Sequence, residues 1–110
     1  MTVEEQFAEL VEHFAATPGV TGPGDEPAGG RRRFGSDALK INGSIFAMIS
    51  HGRLVVKLPA ARVRELITAG IGLPFDAGKG RPMKEWVAVR GGDDSTWRDL
   101  AGEAARFVGG

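Results

Sequence analysis

The chain has 110 residues, no cysteine, and 14 basic residues balanced by 14 acidic ones. That length suits one hydrophobic core rather than two, and the missing thiols exclude disulfides, thiolate metal sites and cysteine nucleophiles. A net charge of zero speaks against a duplex-binding domain, which gathers an excess of Lys and Arg.

No apolar run approaches the ~20 residues that cross a bilayer. The acidic start Met1-Thr2-Val3-Glu4-Glu5 is unlike a secretory leader. These features predict a cytoplasmic, membrane-free, single-domain protein spanning 1–110.

Thr2 to Ala16 reads as an amphipathic helix. Val3, Phe7, Leu10, Val11 and Phe14 recur at three- and four-residue spacing. Thr2 and Glu5 have capping-box spacing, so hydroxyl and carboxylate can each satisfy a free backbone N–H. Pro18 and Gly19 stop the helix. Thr17 to Gly30 is rich in glycine and proline, with Val20 its one large apolar side chain. Such a stretch buries too little surface to offset its ordering entropy, which predicts a flexible loop over 17–30.

Asp37 to Leu58 reads as a three-stranded meander of strands near 37–41, 44–50 and 53–58. Asn42-Gly43 tolerates the positive φ angles of a tight hairpin turn, and His51-Gly52 fits a second. Two-residue loops place Ile41 opposite Ser44 and Ser50 opposite Arg53. Uninterrupted alternation then puts Ala38, Ile45, Ala47, Ile49, Leu54, Val56 and Leu58 on one face, with Lys40 out of place among them. Leu39, Ile41, Phe46, Met48 and Val55 fall on the other, mixed with Asp37, Arg53 and Lys57. The first face is expected beneath helices. The second is too apolar for a solvated surface.

Pro59 to Ala69 predicts a second helix, with proline in its first turn and Gly70 at its end. Val63, Leu66 and Ile67 point inward. Gly72 to Pro82 reads as a loop and Lys84 to Arg90 as a strand. Asp93, Asp94 or Ser95 caps a last helix, whose apolar face is Trp97, Leu100, Ala101, Ala104, Phe107 and Val108. Helix, three strands, helix, one or two strands and helix make an α+β fold, an antiparallel sheet packed by helices.

The residues that carry chemistry are sparse. His13 lies on the polar side of the first helix and His51 in a turn, where a metal would need several converging ligands. No serine sits in a nucleophile elbow. Around Gly78-Lys79-Gly80-Arg81 a phosphate loop fails twice, because Leu73 and Gly80 stand where it needs a glycine and a hydroxyl. A looser anion or small-ligand site over Lys57, Lys79, Arg81 and Lys84 is compatible with the sequence. Arg31, Arg32 and Arg33 form the densest charge run, a candidate contact for nucleic acid or an acidic partner. Phe46, Trp86 and Trp97 are expected in the core. Neither a cofactor nor catalysis is expected.

Phe34-Gly35, Asn42-Gly43-Ser44-Ile45-Phe46-Ala47, Leu54-Val55-Val56-Lys57-Leu58 and Gly80-Arg81-Pro82-Met83-Lys84-Glu85-Trp86 follow one another in an order that resembles the N-terminal domain of the TfoX/Sxy competence-regulator proteins. The likeness covers about residues 34–90. It implies a secretion-chaperone-like two-layer sandwich in the order α-β-β-β-α-β-β-α, with an added short strand near Leu73 to Asp76. It also implies a regulatory role exercised through another protein, and brings no catalytic residues. The leading expectation is a non-enzymatic interaction module whose candidate interface is Leu39, Ile41, Phe46, Met48 and Val55, facing a protein partner or a second copy. A small-ligand or anion binder is the alternative, and direct DNA contact within a regulatory complex ranks below it.

Overall fold

The computed structural model describes residues 2–21, 38–75 and 83–109. The elements are α1 (Val3–Phe14), β1 (Val20–Thr21), β2 (Ala38–Ile41), β3 (Ser44–Ser50), β4 (Arg53–Lys57), α2 (Ala60–Thr68), β5 (Gly72–Pro74), β6 (Trp86–Val89) and α3 (Asp94–Gly109). The six strands form one antiparallel sheet in the order β1-β2-β3-β4-β6-β5. This is the expected α+β class. The expectations for Arg31–Arg33, for Lys79 and Arg81, and for most of the loop 17–30 concern residues outside those described.

Each helix boundary has a local cause. At α1, Glu5 N–H donates to the Thr2 hydroxyl at 3.0 Å and Thr2 N–H to the Glu5 carboxylate at 2.9 Å, closing the capping box. Pro59 stands one residue before α2 rather than in its first turn, and Gly70, at φ +80°, ends that helix in the left-handed region that glycine favours. At α3, Thr96 N–H donates to the Asp93 carboxylate at 2.9 Å.

Two segments that the residue pattern reads as loop prove to be strands, the second close to the short strand that the family resemblance implies near Leu73 to Asp76. Val20 and Thr21 pair with Ile41 and Lys40, so the glycine-rich stretch begins as sheet. Gly72–Pro74 pairs with β6, Gly72 facing Val89. Gly72 is buried, and a Cβ there would stand 2.5 Å from Val87 Cγ2 and 3.3 Å from Leu66 Cβ. Only glycine lets the Val87 side chain of β6 and Leu66 of α2 both lie this close to the strand.

Both hairpins close where expected, with Ile41 facing Ser44 and Ser50 facing Arg53. Asn42 and His51 adopt φ near +52° and +53° in the two turns. The first hairpin then departs from simple alternation. Lys40 faces Ile45, but Leu39 faces Ala47, which leaves Phe46 as the extra residue of a β-bulge. The bulge turns Phe46 to the same side as Ala47 and swings Ile45 and Lys40 to the other. It resolves the misplaced lysine of the sequence pattern: Leu39 and Phe46 enter the core, fully buried, and Lys40 leaves it. Burying a Leu or Phe side chain gains roughly 1.5–3 kcal/mol each, more than one irregular ladder step costs.

The core lies on one face of the sheet. Phe7, Leu10 and Phe14 of α1, Val63 and Leu66 of α2, and Trp97, Leu100, Ala101 and Ala104 of α3 pack with Leu39, Phe46, Leu54, Val56, Val87 and Val89. The Phe14 and Phe46 rings meet edge to face at 5.5 Å. Trp97 Nε1–H donates to the Gly91 carbonyl at 2.9 Å, so its buried polar atom is satisfied. An Arg62–Glu103 pair ties α2 to α3 through two hydrogen bonds of 2.9 and 3.0 Å.

Candidate functional site

With the described helices on one face, the register defines the other. Ala38, Met48, Val55, Ala88 and Leu73 follow one another across β2, β3, β4, β6 and β5 as directly facing partners. Val55 is fully buried and Ala38 and Ala88 nearly so, yet none of the three belongs to the cluster beneath the helices. Met48 and Leu73 are half-buried, as are Ile45 and Trp86 in the flanking rows. The small buried side chains of Ala38, Val55 and Ala88 are thus interspersed with the taller, partly exposed Met48 and Leu73 along this strip.

Among the described strand residues, charge on this face has one sign. Lys40, Arg53 and Lys57 are the only charged residues of the six strands, which contain no Asp or Glu. Lys40 faces Ile45 and Arg53 faces Ser50. Lys57 faces Trp86, and its ammonium lies 5.8 Å from the Trp86 ring centroid, within reach of the attraction between a cation and an aromatic face. The carboxylates of the described residues sit on helices and turns instead.

The expected interface is therefore redistributed. Met48 and Val55 lie on the helix-free face as anticipated. Leu39 and Phe46 do not, because the bulge buries them beneath the helices, and Ile41 also packs against that core, under Gly109 of α3. Trp86, expected in the core, is half-buried on the open side, whereas Phe46 and Trp97 are core residues as expected. Of the basic group, Lys57 is on this face, Lys84 is exposed in the turn before β6, and Lys79 and Arg81 lie outside the described residues. Ile45, Leu73 and Trp86 are the members that sequence reasoning missed. Trp86 had a visible signal: it alternates with Val87, so one of the two must face away from the core.

Elsewhere the titratable groups are local. Ser50 Oγ lies 3.0 Å from His51 Nδ1, an exposed contact between neighbours in the second turn. Glu9 is held above the ordinary carboxylate value by a shared hydrogen bond with Asp94 and by that neighbour's charge. Asp93 is held below it by the Thr96 N–H. Among the described residues no group of three His, Cys, Asp or Glu side chains could hold a metal ion, and no helix is long and apolar enough to cross a membrane.

Among the described residues, this face carries an apolar strip, already buried at Ala38, Val55 and Ala88, bordered by cations. Compared with protein-family models, curated proteins and solved structures, the chain matches none.

Proposed function

We propose that the protein is a non-enzymatic, cytoplasmic interaction module that docks a protein partner on the helix-free face of its sheet. The carrying observation is the pairing of half-buried Ile45, Met48, Leu73 and Trp86 with Lys40, Arg53 and Lys57, on strands without a carboxylate. The charges select the occupant. A second copy on the same face would set cation against cation, and like charges brought together across an interface cost several kcal/mol. A partner with an apolar ridge bordered by Asp or Glu meets both features. The resemblance to the TfoX/Sxy N-terminal domain supports a regulatory partner in the same sense.

Two tryptophans make the test direct, since Trp86 is half-buried on this face and Trp97 is buried in the core. Their indole N–H resonances can be followed while the full chain is titrated with an amphipathic Leu/Glu peptide, then with its Leu/Lys counterpart. The Trp86 signal should move with the acidic peptide alone, and the response should fall between 50 and 300 mM salt, where screening removes exposed charge attraction. An Arg53→Glu, Lys57→Glu double variant should reverse the preference. Equal response to both peptides, no response of Trp86 to either, or a dimer that Met48→Asp dissociates would each defeat the reading.

A further inference from the structure

A second feature lies in the helix layer, away from the sheet face. A cleft of about 440 Å³ runs between the end of α1 and the middle of α3, lined by His13, Phe14, Arg98, Asp99, Gly102, Glu103 and Arg106. It is a surface cleft, with His13, Arg98, Asp99 and Arg106 all exposed along it.

Gly102 is the informative residue. It stands inside a 16-residue helix, where glycine lowers stability relative to alanine. Packing does not require it: outside the helix backbone, a Cβ at this position would meet only Arg106 Nη1, at an ordinary 3.8 Å. Its φ lies outside the left-handed region, so the backbone does not require it either. What the missing side chain leaves is a bare floor in the cleft. Arg98 and Arg106 stand one helical turn to each side of it, on the same stripe of α3, and the Arg106 guanidinium already lies back over the glycine.

The charges around that floor are unequal. Glu103 is engaged by Arg62 through two hydrogen bonds. Asp99 is the other carboxylate of the lining, set against two guanidiniums, of which Arg98 also acts on Glu9 and Asp93 beyond the cleft. Planar guanidinium forks match the oxygens of phosphate and carboxylate two at a time. We propose that this cleft binds a small oxyanion ligand, a phosphate or carboxylate compound held between Arg98 and Arg106 over the bare backbone of Gly102, with His13 on the facing wall.

The test is thermal unfolding of the full chain with and without 10 mM inorganic pyrophosphate or citrate, at constant ionic strength. A ligand that binds only the folded state raises the unfolding temperature. One or both probes should do so, and which one acts separates phosphate from carboxylate chemistry. Gly102→Ala should raise the unliganded midpoint by roughly 3–6 °C, because the fold does not need the glycine. Gly102→Leu should fold and lose the response, and Arg98→Gln, Arg106→Gln should lose it as well. Arg64→Gln, exposed on α2 and outside the cleft lining, should keep it. The proposal is overturned if neither probe stabilises the protein, if the response survives Gly102→Leu or the double arginine variant, or if Arg64→Gln abolishes it.

Discussion

The β-bulge at Phe46 decides which side chains the protein hides, and two single substitutions test it. Phe46 is fully buried and meets Phe14 edge to face at 5.5 Å. Ile45, its neighbour, is half-buried on the open side and outside the helical cluster. Phe46→Ala removes a buried ring and should cost about 3–5 kcal/mol, a large share of the roughly 5–15 kcal/mol that holds a domain together. At roughly 4–8 °C per kcal/mol for a domain near this size, the midpoint should fall by about 12 °C or more. Ile45→Ala forfeits about half of the roughly 1.5–3 kcal/mol of a full burial, so its cost stays near 1 kcal/mol. Urea unfolding followed by far-ultraviolet circular dichroism measures both. A regular hairpin would reverse the order, placing Ile45 beneath the helices and Phe46 outside. If Ile45→Ala proves the costlier change, the bulge is wrong, and with it the assignment of the open face.

Gly72→Ala should cost about 1–3 kcal/mol, as overpacking does, because its methyl group would stand 2.5 Å from Val87 Cγ2; unchanged stability would mean that the Val87 side chain can turn aside. Asp93 predicts an acid limb. Its folded pKa is depressed by the Thr96 N–H, so its contribution is complete above the ordinary carboxylate value and is lost as pH falls through the lower folded one. The stability gap between the wild type and Asp93→Asn should therefore narrow from pH 5 to pH 2, where the aspartate becomes a neutral cap; a gap unchanged over that range would refute the assignment.

Most of the helical layer was legible because period and caps agreed. Val3, Phe7, Leu10 and Phe14 announce one face of α1, and Thr2 with Glu5 announces its start; the structure has both. The two turns were legible because Asn42-Gly43 and His51-Gly52 supply positive φ, and the residues flanking them pair as read. The bulge was not legible. Alternation is a rule of period two, and a single extra residue reverses every side chain beyond it. The lysine stranded on the supposed core face was the available signal, since a buried unpaired ammonium is costly. β1 was missed, and β5 was expected only through the family resemblance, for a different reason. Two or three residues carry no periodicity, and only their pairing with β2 and β6 defines them. The cleft at Gly102 was invisible because a glycine in a helical pattern says nothing about its neighbours until α1 is seen alongside.

The lengths of the outer strands bear on how anything can attach. A sheet edge is a row of unpaired N–H and C=O groups, and a long flat one invites another chain to add a strand. Among the described residues the borders are β1, of two residues, and β5, of three ending in Pro74. Proline has no N–H to give, and so short a stretch offers an incoming strand few rungs. The long strand β3 lies inside, its ladder satisfied on both sides by β2 and β4. As far as the described strands go, growth of the sheet into a continuous ribbon with itself is thereby blunted.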